Sequence, residues 1–332
     1  MRTKKIKNKS NSIYKIGCAI PCFKGGKSTI KLIEELHELV DLIVLVDDSC
    51  PFLTGDLAKK HFKESKKLKI IYNDKNSGVG YSVKRAFKFL MDSKCDIVVK
   101  IDADGQMDPY LIPTLIKPIE LGFSDAVKGN RFSSLDHINS MPNSRKIGNL
   151  GLSFMNKFST GYWELFDPTN GFIAFKSDSL KKIRLDKTNS RYFFESDLLF
   201  QSSLSNICFS QIPMKSTYKK EISSLNPYSQ FFIFLFFHII NFFKRIVYQY
   251  FLLDFNIGTL EIIGFFITSL ILLFNILNIY RNGINYQQLA SPGEANLISI
   301  LAIISMQLLI GFFYFDATQQ PLLRRLNQKR NN

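Results

Sequence analysis

Ile97-Val98-Val99-Lys100-Ile101-Asp102-Ala103-Asp104-Gly105-Gln106 is the stretch that decides how this chain reads. An apolar run of strand length ends abruptly in two carboxylates and an amide at alternate positions. A strand formed by its first half therefore delivers three hard oxygen donors to one carboxyl tip, a set suited to Mg²⁺ or Mn²⁺ held against a diphosphate. Asp-x-Asp by itself is also an ordinary solvated turn. The neighbouring segments decide between the two.

Short apolar runs bounded by Gly, Pro, Asp or Asn recur along the first two thirds of the chain. Ile16–Ile20, Leu42–Val46, Lys69–Tyr72, Ile97–Ile101 and Ala126–Lys128 read as strands. Between them Leu32, Leu36, Leu39 and Val40 form one helical stripe, and Val83, Ala86, Phe87 and Leu90 another. That alternation predicts an α/β layer with a mostly parallel sheet, whose ligands bind beyond the carboxyl ends of the strands. Polar motifs fall at those ends in succession: Pro21, then Asp47-Asp48, then Asn76-Ser77-Gly78-Val79-Gly80, then Asp102-Ala103-Asp104.

Other signals exclude more than they include. Lys24-Gly25-Gly26-Lys27-Ser28-Thr29 mimics a nucleoside-triphosphate P-loop, but the first glycine of that motif is replaced by Pro21, so the phosphate cradle is incomplete. A helix N-terminus there would still favour an anion. The net charge of +15 comes with no zinc-finger spacing, no glycine-aromatic RNA-binding motif and no heptad-backed basic region, so no nucleic-acid partner is expected. Membrane proximity accounts for the charge better, because each Lys or Arg near anionic headgroups contributes roughly 1 kcal/mol. Met1–Ser12 is basic and polar and does not read as a signal peptide. Cys18, Cys22, Cys50, Cys95 and Cys208 are expected as buried thiols in a reducing compartment, with no His or Cys pair to make Cys18 and Cys22 a zinc site.

The 31 phenylalanines lie disproportionately toward the end of the chain. Ile262–Tyr280 runs 19 residues and Ala295–Phe315 runs 21 residues without a charge. Each is near the roughly 20 residues that cross a ~30 Å hydrocarbon core, so a transmembrane hairpin is expected. Tyr228–Asp254 is equally aromatic but holds Lys244 and Arg245 in its middle. Spanning would bury both at about 2.5–3.5 kcal/mol each, whereas a helix lying in the interface lets them snorkel to the headgroups. Interfacial helices are the expectation, and a third span is the alternative. Lys244 and Arg245 before the hairpin, Arg324, Arg325, Lys329 and Arg330 after it, and Arg281 alone between its spans predict a multi-pass protein of the cell membrane with head and tail cytoplasmic.

In order and spacing, Ala19-Ile20-Pro21-Cys22, Val46-Asp47-Asp48-Ser49-Cys50-Pro51, Asn76-Ser77-Gly78-Val79-Gly80, Asp102-Ala103-Asp104-Gly105-Gln106 and Gly129-Asn130-Arg131-Phe132 resemble the family 2 glycosyltransferases of the dolichol-phosphate mannose synthase type. The likeness covers about Ile16–Leu225, and the trailing hairpin resembles that of bacterial polyprenyl-phosphate glycosyltransferases. Together with the charge and hydropathy pattern it divides the chain into a basic tail over 1–14, a GT-A head over 15–226, interfacial amphipathic helices over 227–256, two membrane helices over 257–318 and a basic tail over 319–332. It further implies inverting, metal-dependent transfer from a nucleotide-sugar donor to a polyprenyl or dolichyl phosphate. Asp102, Asp104 and Gln106 match the residues that hold the metal and diphosphate; Pro21, Asp47, Asp48, Gly78, Asp102 and Ala103 fall on the nucleotide side; Arg131 and Arg145 match arginines near the acceptor phosphate. A homo-oligomer is compatible with all of this.

The departures concern the donor more than the reaction. Lys24-Gly25-Gly26 stands where the family usually has Asn-Glu-Glu, so a carboxylate contact to the nucleotide is missing. Near the end of the head, Lys219 or Lys220 stands in the region of a family arginine. An alternative acceptor, a sugar hydroxyl on a lipid-linked glycan, needs a general base, and Glu195-Ser196-Asp197 at a helix start offers either that base or an ordinary dipole pairing. Processive polymer synthesis is disfavoured because Trp163 is the only tryptophan and no Gln-x-x-Arg-Trp occurs. A silent membrane scaffold would be expected to have a damaged metal motif, and here it is intact.

Overall fold

The computed structural model describes residues 13–133, 143–215, 227–286 and 289–320. Seven strands form one sheet: β1 (Ile16–Cys22), β2 (Leu42–Asp47), β3 (Leu68–Tyr72), β4 (Ile97–Lys100), β5 (Ala126–Asn130), β6 (Ile173–Lys176) and β7 (Phe209–Pro213), in the order β3-β2-β1-β4-β6-β5-β7. The five expected strands are present. β6 and β7 were not among the expected strands. Strands β1 to β4 pair in parallel, β6 is antiparallel to both β4 and β5, and β5 is parallel to β7. The carboxyl ends of β1 to β5 and the amino end of β6 therefore share one edge.

Both faces of the sheet are covered, which is why β1 and β4 are apolar throughout except at Lys100. Helices α1 (Gly26–Leu36) and α4 (Ile112–Glu120) cover one face, where Leu32, Ile33 and Ile116 meet Ile20, Ile43 and Val99. Helix α3 (Val79–Asp92) and the later helix Phe194–Leu204 cover the other, where Phe87, Phe194 and Leu198 meet Val98, Ile173 and Phe175. All four residues of the expected Val83, Ala86, Phe87, Leu90 stripe are buried in that layer. The first stripe is split: α1 ends at Leu36, and Leu39 and Val40 pack from the turn beyond it. Helices α2 (Thr54–His61) and α5 (Asn143–Thr160) and a single helical turn at Ser177–Leu180 also belong to the head, and Phe194–Leu204 is α6.

Three further helices come after the head: α7 (Pro227–Val247), continued by a π-helical turn at Tyr248–Leu253, α8 (Ile257–Tyr286) and α9 (Pro292–Thr318). Three segments, not the expected two, are long and apolar enough to cross a membrane: Gln230–Leu253, Ile257–Tyr286 and Pro292–Thr318. The first differs in packing along α5 of the head. Helices α8 and α9 pair with each other through a Ser305–Thr268 hydroxyl bond of 2.8 Å and the close approach of Leu308 to Gly264. Ser291 starts α9 with a capping box, its hydroxyl accepting from Glu294 N while the Glu294 carboxylate accepts from Ser291 N, and Pro292 occupies the first helical position.

The expected snorkelling of both cations is corrected at one of them. Lys244 is exposed, but Arg245 does not snorkel; it is 1% exposed and turns inward to Asp316 of α9. Its NH1 and NH2 donate to the two Asp316 oxygens at 2.6 and 3.0 Å, and its Nε and NH2 donate to the Phe158 carbonyl at the end of α5. Trp163 Nε1 at 2.7 Å and Tyr250 hydroxyl at 2.6 Å complete the shell of Asp316. A charge this deep is tolerated only with a partner, and four chain segments are tied together by supplying one.

Asp316→Ala should therefore destabilise the full-length protein in detergent by about 3–5 kcal/mol, because it leaves a buried guanidinium uncompensated. Arg245→Met combined with Asp316→Leu should recover part of that loss. A thermal melt followed by size-exclusion recovery reads both, and an Asp316→Ala protein melting with wild type contradicts the junction.

Candidate active site

The shared edge of the sheet gathers the sequence motifs. Asp47 and Asp48 close β2 and are almost fully buried. Asp47 accepts from Cys50 N at 2.7 Å and Gly55 N at 2.6 Å, fixing the turn into α2, in which Ser49 and Leu53 hold left-handed φ values of 57° and 47°. Asp48 accepts from Ser77 N at 2.9 Å, Gly78 N at 2.8 Å and Asn73 Nδ2 at 2.6 Å. These carboxylates, expected on the nucleotide side, spend hydrogen bonds on building the loops of that side. Gly78 has φ +96°, and a Cβ there would land on the Ser190 carbonyl, so Asn76–Gly80 is seated against the loop preceding α6.

The Asp102–Gln106 turn continues directly from β4. Asp104 Oδ1 accepts from Gln106 N at 2.9 Å, an Asx turn that folds the segment over Gly105 at φ +70°. The Ala103 carbonyl accepts from Ser28 Oγ at 3.3 Å and Thr29 Oγ1 at 3.2 Å. The segment that mimicked a P-loop thus braces the acidic turn through its hydroxyls. Pro21 is buried at the neighbouring tip of β1. Asp102 is 30% exposed along its side chain and Asp104 and Gln106 are half-buried, so the expected donors face an open edge.

Behind that edge lies a set of buried charges that the sequence reading missed. Lys100 and Lys128 both stand opposite Ile173 in register, so they project from the two strands flanking β6 toward the face covered by α6. Lys100 is fully buried and donates to Asp102 Oδ1 at 2.7 Å and Glu195 Oε1 at 3.1 Å. Burial opposes its charge, but Asp102 and Glu195 outweigh that and hold its pKa above the ordinary lysine value. Lys128 donates to the Asn170 carbonyl, and burial pushes it down to about 8. The visible signal was one lysine in each of two otherwise apolar strands.

Arg131 follows β5 and forms a fork with Asp167, Nε to Oδ2 at 2.7 Å and NH2 to Oδ1 at 2.5 Å. Asp167 is fully buried with φ +58°, in the turn Asp167-Pro168-Thr169-Asn170-Gly171 that enters β6. Because β6 runs antiparallel, this turn arrives at the same edge as the acidic tip. Arg145 lies in the first turn of α5, its side chain outside the described residues, as are Lys219 and Lys220. On α6, Glu195 belongs to Lys100, while Asp197 accepts from Asn189 N at 2.9 Å and from Asn241 Nδ2 of α7 at 2.8 Å. Burial raises the Asp197 pKa against the pull of Asn241 and Asn189.

Comparison with known proteins agrees with this arrangement. Residues 18–184 match the family model for glycosyl transferase family 2. The chain is 29% identical over 212 residues to the UDP-N-acetylglucosamine–dolichyl-phosphate N-acetylglucosaminyltransferase of Methanococcus voltae, covering 60% of this chain and 84% of that one. It is 28% identical over 162 residues to the undecaprenyl-phosphate mannosyltransferase of Micrococcus luteus, covering 48% of this chain and 65% of that one. Among solved structures, glucosyl-3-phosphoglycerate synthase of Mycobacterium tuberculosis, in complex with Mn²⁺, UDP and glucosyl-3-phosphoglycerate, superposes with a TM-score of 0.51 at 14% identity, over 70% of this chain and 80% of that one. That likeness identifies the head as a GT-A-like α/β fold. With the family model spanning half of its length and the acidic tip placed at the carboxyl edge of such a sheet, the chain is a member of glycosyl transferase family 2, a glycosyltransferase.

Proposed function

We propose that this glycosyltransferase moves a sugar from a nucleoside-diphosphate donor to a polyprenyl or dolichyl phosphate at the membrane surface, with inversion. Helix α6 carries this reading: Glu195 reaches Lys100 and through it Asp102, and two residues on, Asp197 is bound by Asn241 of α7. The acidic tip is thus within one helical turn of a contact to the apolar helices, where a lipid-borne acceptor would arrive. The names of the two lipid-phosphate transferases above support the same acceptor class.

The donor set fits a hard divalent cation. Two carboxylates and an amide oxygen sit at an open edge, and among the described residues no cluster of three or more His, Cys, Asp or Glu side chains completes a cage. Oxygens of the diphosphate and of water would fill the remaining positions. Mg²⁺ or Mn²⁺ held by Asp102, Asp104 and Gln106 would neutralise charge on the leaving diphosphate. The acceptor phosphate is already ionised near neutral pH, so its oxygen attacks the anomeric carbon as the bond to the diphosphate breaks, without a strong general base. Arg131, oriented by Asp167, and Arg145 are the cations we assign to the acceptor phosphate. Asp197, with an oxygen committed to each of two elements, is assigned to the junction of α6 with α7 and not to proton abstraction. In the same reading α7 lies along the membrane face, α8 and α9 cross it, and head and tail are cytoplasmic.

Asp104→Asn should nearly abolish transfer in a folded protein, since an amide is a far weaker ligand for a hard cation. Activity that survives EDTA, or an unimpaired Asp104→Asn enzyme, contradicts the metal assignment.

Asp197→Asn should lose much less than the roughly 10²–10⁴-fold that deletion of a general base costs, while Arg145→Ala should weaken acceptor use more than donor binding. Both are assayed at saturating donor with varied polyprenyl phosphate and with circular dichroism as a folding control. A folded Asp197→Asn enzyme that binds both substrates yet turns over a thousandfold slower points instead to a hydroxyl acceptor.

A further inference from the structure

The acidic tip is not anchored by backbone alone. Lys100, wholly buried at the end of β4, places its ammonium between Asp102 Oδ1 and Glu195 Oε1 at 2.7 and 3.1 Å. Asp102 Oδ2 has no hydrogen-bond partner among the described residues and lies beside Gly171, where a Cβ would land on both Lys100 Nζ and Asp102 Oδ2. Gly171 therefore leaves room for the pair, and the turn that carries it is pinned by Asn170, whose amide donates to the Gly129 carbonyl at 2.8 Å.

We propose that Lys100 is a positioning residue for the metal-binding edge, fixing one oxygen of Asp102 so that the other is presented to the cation. The inference rests on the assignment of the metal to Asp102, Asp104 and Gln106. Its physical content is a sign. A lysine this close to a divalent cation repels it, so deleting the ammonium should tighten binding if charge were the only effect. If instead its work is to hold Asp102 in one rotamer, deletion loosens binding despite the gain in local negative charge. Groups that orient metal ligands typically change affinity by about 10–100-fold. Glu195 then serves as the far anchor that holds Lys100 Nζ against Asp102.

The test is Mn²⁺ binding to the full-length protein in detergent, followed by electron paramagnetic resonance of free Mn²⁺ with no donor present. Lys100→Met should bind at least about 10-fold more weakly than wild type, Lys100→Arg should retain part of the affinity, and Gly171→Ala should fall in the same direction as Lys100→Met while changing no charge. Thermal melts select the variants that fold, and Gly171→Ala carries the test alone if Lys100→Met does not. Unchanged or tighter Mn²⁺ binding in a folded Lys100→Met, or unchanged binding in Gly171→Ala, overturns the positioning role. Wild-type protein that takes up no Mn²⁺ even when a nucleoside diphosphate is added contradicts the metal assignment itself.

Discussion

Lys100 is an ammonium sealed inside a β-sheet and matched by two carboxylates, and the edge that carries the acidic tip is arranged around that match. The desolvation of an isolated charge costs several kcal/mol, so Lys100 can occupy the end of β4 only if anionic groups are brought to it. Asp102 comes from the same strand two residues on, and Glu195 comes from α6 across the layer. That contact, together with Phe194 and Leu198 packed among Val98, Ile173 and Phe175, holds the first turn of α6 against the sheet. With α6 placed, the loop ahead of it lies against Gly78 and Gly80, in the loop that Asp48 organises.

The same helix joins the head to the apolar helices. Asp197, half a turn beyond Glu195, holds Asn241 of α7, and Phe193 stacks on Phe237 of that helix at 5.1 Å between ring centres. A second connection runs through Arg245 and Asp316, with Trp163 and Phe158 contributed by the head. Both connections are polar groups enclosed by aromatic surface, where partners are hard to exchange with water. The edge that carries the acidic tip and the apolar helices are therefore packed against each other, an arrangement that suits the proposed acceptor, whose phosphate is tethered to a membrane by its own lipid.

Much of the architecture was legible because it arises from short-range pattern. The parallel core strands, the α3 stripe and the Asp-x-Asp tip are each written within a dozen residues, and five motifs in order carried the family resemblance. What escaped was encoded at long range. Lys100 and Lys128 fall within two of the expected strands, and only the pairing of β4 and β5 with β6 shows both of them opposite Ile173. Asp167–Gly171 gave no signal in the sequence, because its importance depends on β6 running backwards, which nothing local specifies. Arg245 was assigned to headgroups since its partner lies 71 residues away in α9. The P-loop mimic shows the converse, a familiar local pattern put to another use by tertiary contact with Ala103.

The assignment of function stands or falls on the acceptor being a lipid monophosphate. Purified protein would be given labelled UDP-glucose, UDP-galactose, UDP-N-acetylglucosamine and GDP-mannose in turn, each with a polyprenyl monophosphate, with a polyprenyl-diphosphate-linked glycan, or with neither, and the label extracted into organic solvent. A monophosphate acceptor predicts that at least one donor labels lipid with the monophosphate alone and that this label is released by mild acid as a free sugar. Label that enters lipid only when the glycan is supplied would contradict it.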